Sequence, residues 1–132
     1  MAVALAFLKQ TEFNNPGAFL VRATLTGNYG TNGVGDLLNL APYQVGTNPG
    51  GITDPNSTYD EILGTPTSAI GPFNTNLGGS TVAIKPGSPV TLTNVGLQVF
   101  EPGGAEKATG AAYTAAELAG YVDLIIEIPK YQ

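Results

Sequence analysis

Tyr121-Val122-Asp123-Leu124-Ile125-Ile126-Glu127-Ile128 is the stretch on which the fold turns. Successive side chains of a strand point to opposite faces, a period of two. Val122, Leu124, Ile126 and Ile128 therefore share a core face, and Tyr121, Asp123, Ile125 and Glu127 share the other. Pro129 stops the run, because proline has no N–H to give a ladder. Just upstream, Thr114-Ala115-Ala116-Glu117 has capping-box spacing. Ala115 to Ala119 accordingly reads as one helical turn, ended by Gly120.

The same period recurs along the chain. Phe19, Val21, Ala23 and Leu25 alternate with Arg22, Thr24 and Thr26, a second strand. Val3, Leu5 and Phe7 alternate with Ala2, Ala4 and Ala6, so residues 2–9 read as an N-terminal strand. The apolar run Ala2 to Leu8 has no preceding cation and no small-residue cleavage site, unlike a signal peptide. It is also far shorter than the about 20 residues a spanning helix needs. Asn14-Asn15-Pro16-Gly17 is a turn signal. After a Gly-rich connection, Asp36 to Leu40 reads as a short strand closing a hairpin on 19–26. Tyr59 to Leu63 and Thr81 to Ile84 read as short strands. Val90 to Phe100 changes parity around Asn94-Val95-Gly96, the mark of a bulge or a break.

Between these runs lie three irregular stretches, about 42–58, 64–80 and 101–113. Loops longer than about 12–15 residues are uncommon in compact domains and are usually functional or disordered. The chain has 18 Gly and 10 Pro in 132 residues, well above average usage, and Thr and Asn are also frequent. This mixture favours strands and tight turns. The expectation is one all-β domain over residues 1–132. Its architecture would be an antiparallel β-sandwich or small barrel of seven or eight short strands, with long irregular loops and at most one short helix.

Composition also bounds the chemistry. There is no His and no Cys, hence no side chain titrating near neutrality when unperturbed, no thiolate and no disulfide. Ten acidic and five basic residues give a net charge of −5. The five cations, Lys9, Arg22, Lys85, Lys107 and Lys130, never cluster, which argues against nucleic-acid binding. Asp54-Pro-Asn56-Ser-Thr58-Tyr-Asp60-Glu61 alternates oxygen ligands as a calcium loop does. However, Tyr59 and Thr65 stand where Gly and a bidentate Glu are required. Asp123 and Glu127 lie about 13 Å apart along a strand, too far for paired glycosidase carboxylates, and read as a solvated or partner-facing side. Gly27-x-x-Gly30-x-x-Gly33-x-Gly35 lacks the Lys-Ser/Thr ending of a phosphate loop. No catalytic residue, cofactor or metal ligand is assigned, and the expectation is a protein that is not an enzyme. Tyr29, Tyr43, Tyr59 and Tyr113 adjoin loops and suit either partner contact or packing on their own domain.

The segment Leu25-Thr26-Gly27-Asn28-Tyr29-Gly30-Thr31-Asn32-Gly33-Val34-Gly35-Asp36-Leu37-Leu38-Asn39-Leu40 resembles a pattern in small virion proteins of tailed phages. There a strand leads through a Gly-x-Tyr-x-Thr-x-Gly-type turn into Gly-Asp-x-Leu-x-Leu. The acidic, hydrophobic C-terminal strand is similar as well. The resemblance covers about a third of the chain. It implies a capsid decoration or cement subunit on the virion surface, binding the major capsid protein and itself, as a homotrimer. No membrane or nucleic-acid partner is implied. Loop segments would supply the contacts, with Tyr43, Asn48, Pro49, Ile52, Tyr59, Ile70, Phe73 and Leu77 as partner-binding residues and the N-terminal strand as an exchange element. A tail-tube or head–tail connector part is the alternative within virions. A carbohydrate-binding or adhesion module is the alternative outside them.

Overall fold

The computed structural model describes residues 3–12, 16–40, 68–69, 72, 74–88, 91 and 93–129. The strands are β1 (Val3–Glu12), β2 (Pro16–Leu25), β3 (Asp36–Leu37), β4 (Ser68–Ala69), β5 (Asn74–Asn76), β6 (Thr81–Lys85), β7 (Gly96–Phe100) and β8 (Tyr121–Pro129). The helix α1 (Ala115–Ala119) precedes β8. All pairings between strands are antiparallel. One sheet runs β1-β2-β8-β4, with β5 pairing the N-terminal part of the β8 edge that β4 pairs further along. The other sheet runs β3-β7-β6, and among the described residues neither sheet closes into a barrel. The expected all-β sandwich is what forms.

The alternation read from the sequence sets the packing. Val21 and Ala23 of β2 and Val122 and Leu124 of β8 are completely buried. Across the interior, Leu97 and Val99 of β7 meet them in one core with Leu25, Leu38, Leu40, Leu77 and Val95. The register of β2 on β8 pairs Val21 with Leu124 and Arg22 with Asp123. A one-residue slip would turn every one of these side chains to the opposite face. β1 follows the same rule, with Val3 buried and Ala4 and Ala6 exposed. Its register shifts between Phe7 and Lys9, a bulge. α1 forms where expected. Thr114 accepts from Glu117 N–H, Glu117 reaches back to the Thr114 N–H, and Gly120 closes the turn.

Four expectations need correction or narrowing. Asp36–Leu40 does not close a hairpin on β2. Only Asp36–Leu37 is strand, and it pairs β7 as Asp36↔Leu97 and Leu37↔Gly96. The chain folds back at Thr31–Gly35, where Val34 N–H and Gly35 N–H both donate to the Thr31 carbonyl, and so crosses to the other sheet. Gly35 permits that crossing. It has φ +92°, and any Cβ there would lie 2.5 Å from the Leu97 carbonyl oxygen. Second, the stretch 64–80 is not wholly irregular, because β4 and β5 use it to pair the open edge of β8. Third, of the bulge or break read around Asn94-Val95-Gly96, a break is what forms, β7 beginning at Gly96, and Val90 and Leu92 lie outside the described residues. Fourth, Asp123 is not a solvated side chain: it is 4% exposed, beneath Arg22 and beside Asn74. The proposed strand Tyr59–Leu63 lies outside the described residues.

Candidate functional site

Two long connections, Gly27–Gly35 and Glu101–Tyr113, lie against one another. Backbone bonds align them first: Tyr29 N–H donates to the Ala111 carbonyl at 2.8 Å and Gly110 N–H to the Tyr29 carbonyl at 3.0 Å. The first connection supplies Tyr29 and delivers Asp36 at the start of β3, the second supplies Glu106 and Tyr113, and the pairs cross. Tyr29 Oη donates to Glu106 Oε2 at 2.6 Å, while Tyr113 Oη donates to Asp36 Oδ2. The two rings meet edge to face, centroids 6.3 Å apart at 86°, a favourable aromatic geometry.

Each carboxylate has further donors. Gly33 N–H reaches both Glu106 oxygens, at 2.7 and 2.9 Å. Asn32 Nδ2 donates to the Lys107 carbonyl at 2.9 Å, and Asn32 N–H to Thr109 Oγ1 at 2.9 Å. Burial works to raise the Glu106 carboxyl, but the bonds from Tyr29, Gly33 and Gln98 hold it below its ordinary value. Asp36 goes the other way. Its burial raises it, and the bonds from Tyr113 and Gly30 N–H only partly oppose that. Both phenols are pushed up, by burial first and then by their carboxylate partners.

Beneath this clasp sits a buried ion pair. Lys107 Nζ lies 3.0 Å from Glu117 Oε1 and 3.6 Å from Glu101 Oε1, and 5.8 Å from the Tyr113 ring centroid. Glu117 also accepts from Thr114 N–H and Ser80 Oγ, both at 2.8 Å. Burial opposes its ionisation, yet those donors and Lys107 keep it below the usual carboxylate value. A second, separate cluster lies on the five-stranded sheet. Arg22 bonds Asp123 through Nε at 2.9 Å and Nη2 at 3.1 Å, and its guanidinium stacks 3.8 Å over Tyr121.

The arrangement is that of a clasp. A phenol with a raised pKa is a poor base or nucleophile at neutral pH, and a carboxylate already accepting several bonds has little left for a substrate. No group of three His, Cys, Asp or Glu among the described residues is placed to hold a metal ion. No described helix is long and apolar enough to cross a membrane. Of the residues assigned to partner binding, Tyr43, Asn48, Pro49, Ile52, Tyr59, Ile70 and Phe73 lie outside the described residues. Leu77 is a correction: it is 2% exposed within the core, so it packs the domain rather than facing a partner. Tyr29 and Tyr113 likewise pack on their own domain. The crossed pairs were missed by sequence reasoning because 77 residues separate the partners in each. The nearest signal is a tyrosine and acids in the irregular stretch 101–113, with Tyr29 in the Gly-rich connection that leads to Asp36.

No protein-family model, no curated protein and no solved structure matches the chain.

Proposed function

We propose that the chain is a non-enzymatic structural virion protein, a capsid decoration or cement subunit on the capsid surface. It binds and stabilises the shell of major capsid protein and self-associates as a homotrimer. One observation carries the reading. Among the charged residues whose side chains are described, Arg22 pairs with Asp123 and Lys107 with Glu117 and Glu101, Asp36 and Glu106 bond Tyr113 and Tyr29, and only Lys85 and Glu101 are exposed. Surfaces depleted of charge are characteristic of interface cores. The open sides of β1 and β6, which carry no strand partner among the described residues, add edges that can accept an extended segment of a neighbour.

The test is co-sedimentation of the purified chain with shells of the capsid protein encoded nearest to it. The expected outcome is saturable binding that raises the temperature at which shells fall apart. A variant lacking residues 46–56 should keep its circular-dichroism spectrum and lose binding. Absence of binding by the intact chain, or turnover of a substrate that one carboxylate substitution abolishes, would overturn the reading.

A further inference from the structure

Asn32–Gly33 is the single Asn–Gly step in the sequence, and it sits on the exposed tip of the turn that Glu106 grips. Asn–Gly is the dipeptide most prone to deamidation, since glycine puts no side chain in the way of ring closure. Asparagine is for this reason among the thermolabile residues. In that reaction the Gly33 nitrogen loses its proton and attacks Asn32 Cγ. The N–Cγ bond forms, the Cγ–Nδ2 bond breaks, and ammonia leaves carrying the proton. Water then opens the cyclic imide at either carbonyl, giving aspartate or isoaspartate.

Here both reacting groups are tied down, and so is the Asn32 backbone beside them. The Gly33 N–H, whose nitrogen must attack, is held by both oxygens of Glu106. The departing amide, Nδ2, is anchored on the Lys107 carbonyl, and the Asn32 backbone N–H on Thr109 Oγ1. Ring closure requires the nitrogen to leave Glu106 and the side chain to swing off Lys107. We infer that Asn32 is a latent modification site held shut by the Glu106 clasp, so that deamidation proceeds through the opened clasp and then prevents its closure.

The last step follows from charge and covalent length. Aspartate at 32 adds a negative charge beside Glu106, and loses the amide donor that bonded the Lys107 carbonyl. Isoaspartate also lengthens the backbone by one carbon, so Gly33 N–H no longer reaches Glu106. Opening of the clasp is thereby converted from a reversible fluctuation into a one-way change in the surface near Val34 and Leu37, both exposed apolar side chains.

The experiment ages the full chain at 37 °C and pH 8. It scores conversion at Asn32 by fragment mass spectrometry and isoaspartate-specific methyl labelling, with the same chain in urea as the open reference. Wild type should convert far more slowly than the chain in urea. Glu106→Gln should convert about tenfold faster than wild type, the open population gained by weakening a bond to a charged acceptor. Thr109→Ala, an exposed change, should convert a few-fold faster. If Glu106→Gln does not fold, Thr109→Ala decides. Equal rates for wild type and the variants, or a wild-type rate matching that in urea, would overturn the inference.

Discussion

Tyr29 shows how one side chain does two jobs. Its ring packs in the core at 2% exposure, while its hydroxyl donates to Glu106 at 2.6 Å and accepts Val99 N–H at 3.4 Å. The hydroxyl thus joins Gly27–Gly35, Glu101–Tyr113 and β7 through one oxygen. Tyr29→Phe keeps the ring and removes the bond to a charged acceptor. It should cost about 1–2 kcal/mol, toward the low end for such bonds because Glu106 is partly exposed. Urea titration checks it: the midpoint should fall with the slope unchanged. At this scale little was legible beforehand. The sequence shows four tyrosines beside loops, but not which acid each meets, because hydrogen bonding across 77 residues leaves no local period. Asp123 failed for a related reason. The period of two puts it on the outer face, whereas its burial depends on Arg22 and Asn74 from other strands.

Elements were the more readable level. β2, β6, β8 and α1 each announce themselves by a period of two or by a cap, which are local properties of ten residues or fewer. β3, β4 and β5 are two or three residues long. A strand that short has no measurable period, and its partner is set by where the chain is sent. For β3 the sender is the turn before it. Its companion on β7 is Gly96, where an added Cβ would sit 1.9 Å from the Val34 carbonyl oxygen. That contact is between backbones, so no side-chain rotation relieves it. Gly96→Ala should push the Thr31–Gly35 turn off β7 and cost about 2–3 kcal/mol, as overpacking does. Gly103→Ala, with nothing within 4 Å of the new methyl, is the matched control and should stay within about 0.5 kcal/mol. Thermal unfolding of the two variants separates them.

On the scale of the whole molecule, the interior holds buried carboxylates whose titrations oppose one another. Asp123, paired with Arg22, and Glu117, bonded by Thr114, Ser80 and Lys107, sit below their ordinary values. For such groups the unfolded chain takes up protons first as pH falls. Their stabilisation, full above the unfolded pKa, is therefore lost on descending through the folded one. Asp36 is raised, chiefly by burial. Its folded form takes the proton first, so it contributes most below its unfolded pKa and loses that contribution as pH rises through the folded one. Acidification from neutrality therefore draws stability from Asp123 and Glu117 while Asp36 returns some. Asp36→Asn removes the returning part and keeps an oxygen for the Tyr113 hydroxyl. The variant should lose stability more steeply than wild type between pH 7 and pH 3. Asp123→Asn should be less stable at pH 7 and flatter toward acid, because the contribution it deletes is the one acid removes. Urea midpoints at half-unit pH intervals give all three curves. A common shape for wild type and Asp36→Asn would mean that the Asp36 carboxyl is no more proton-hungry folded than unfolded, and that the Tyr113 bond, not burial, governs it.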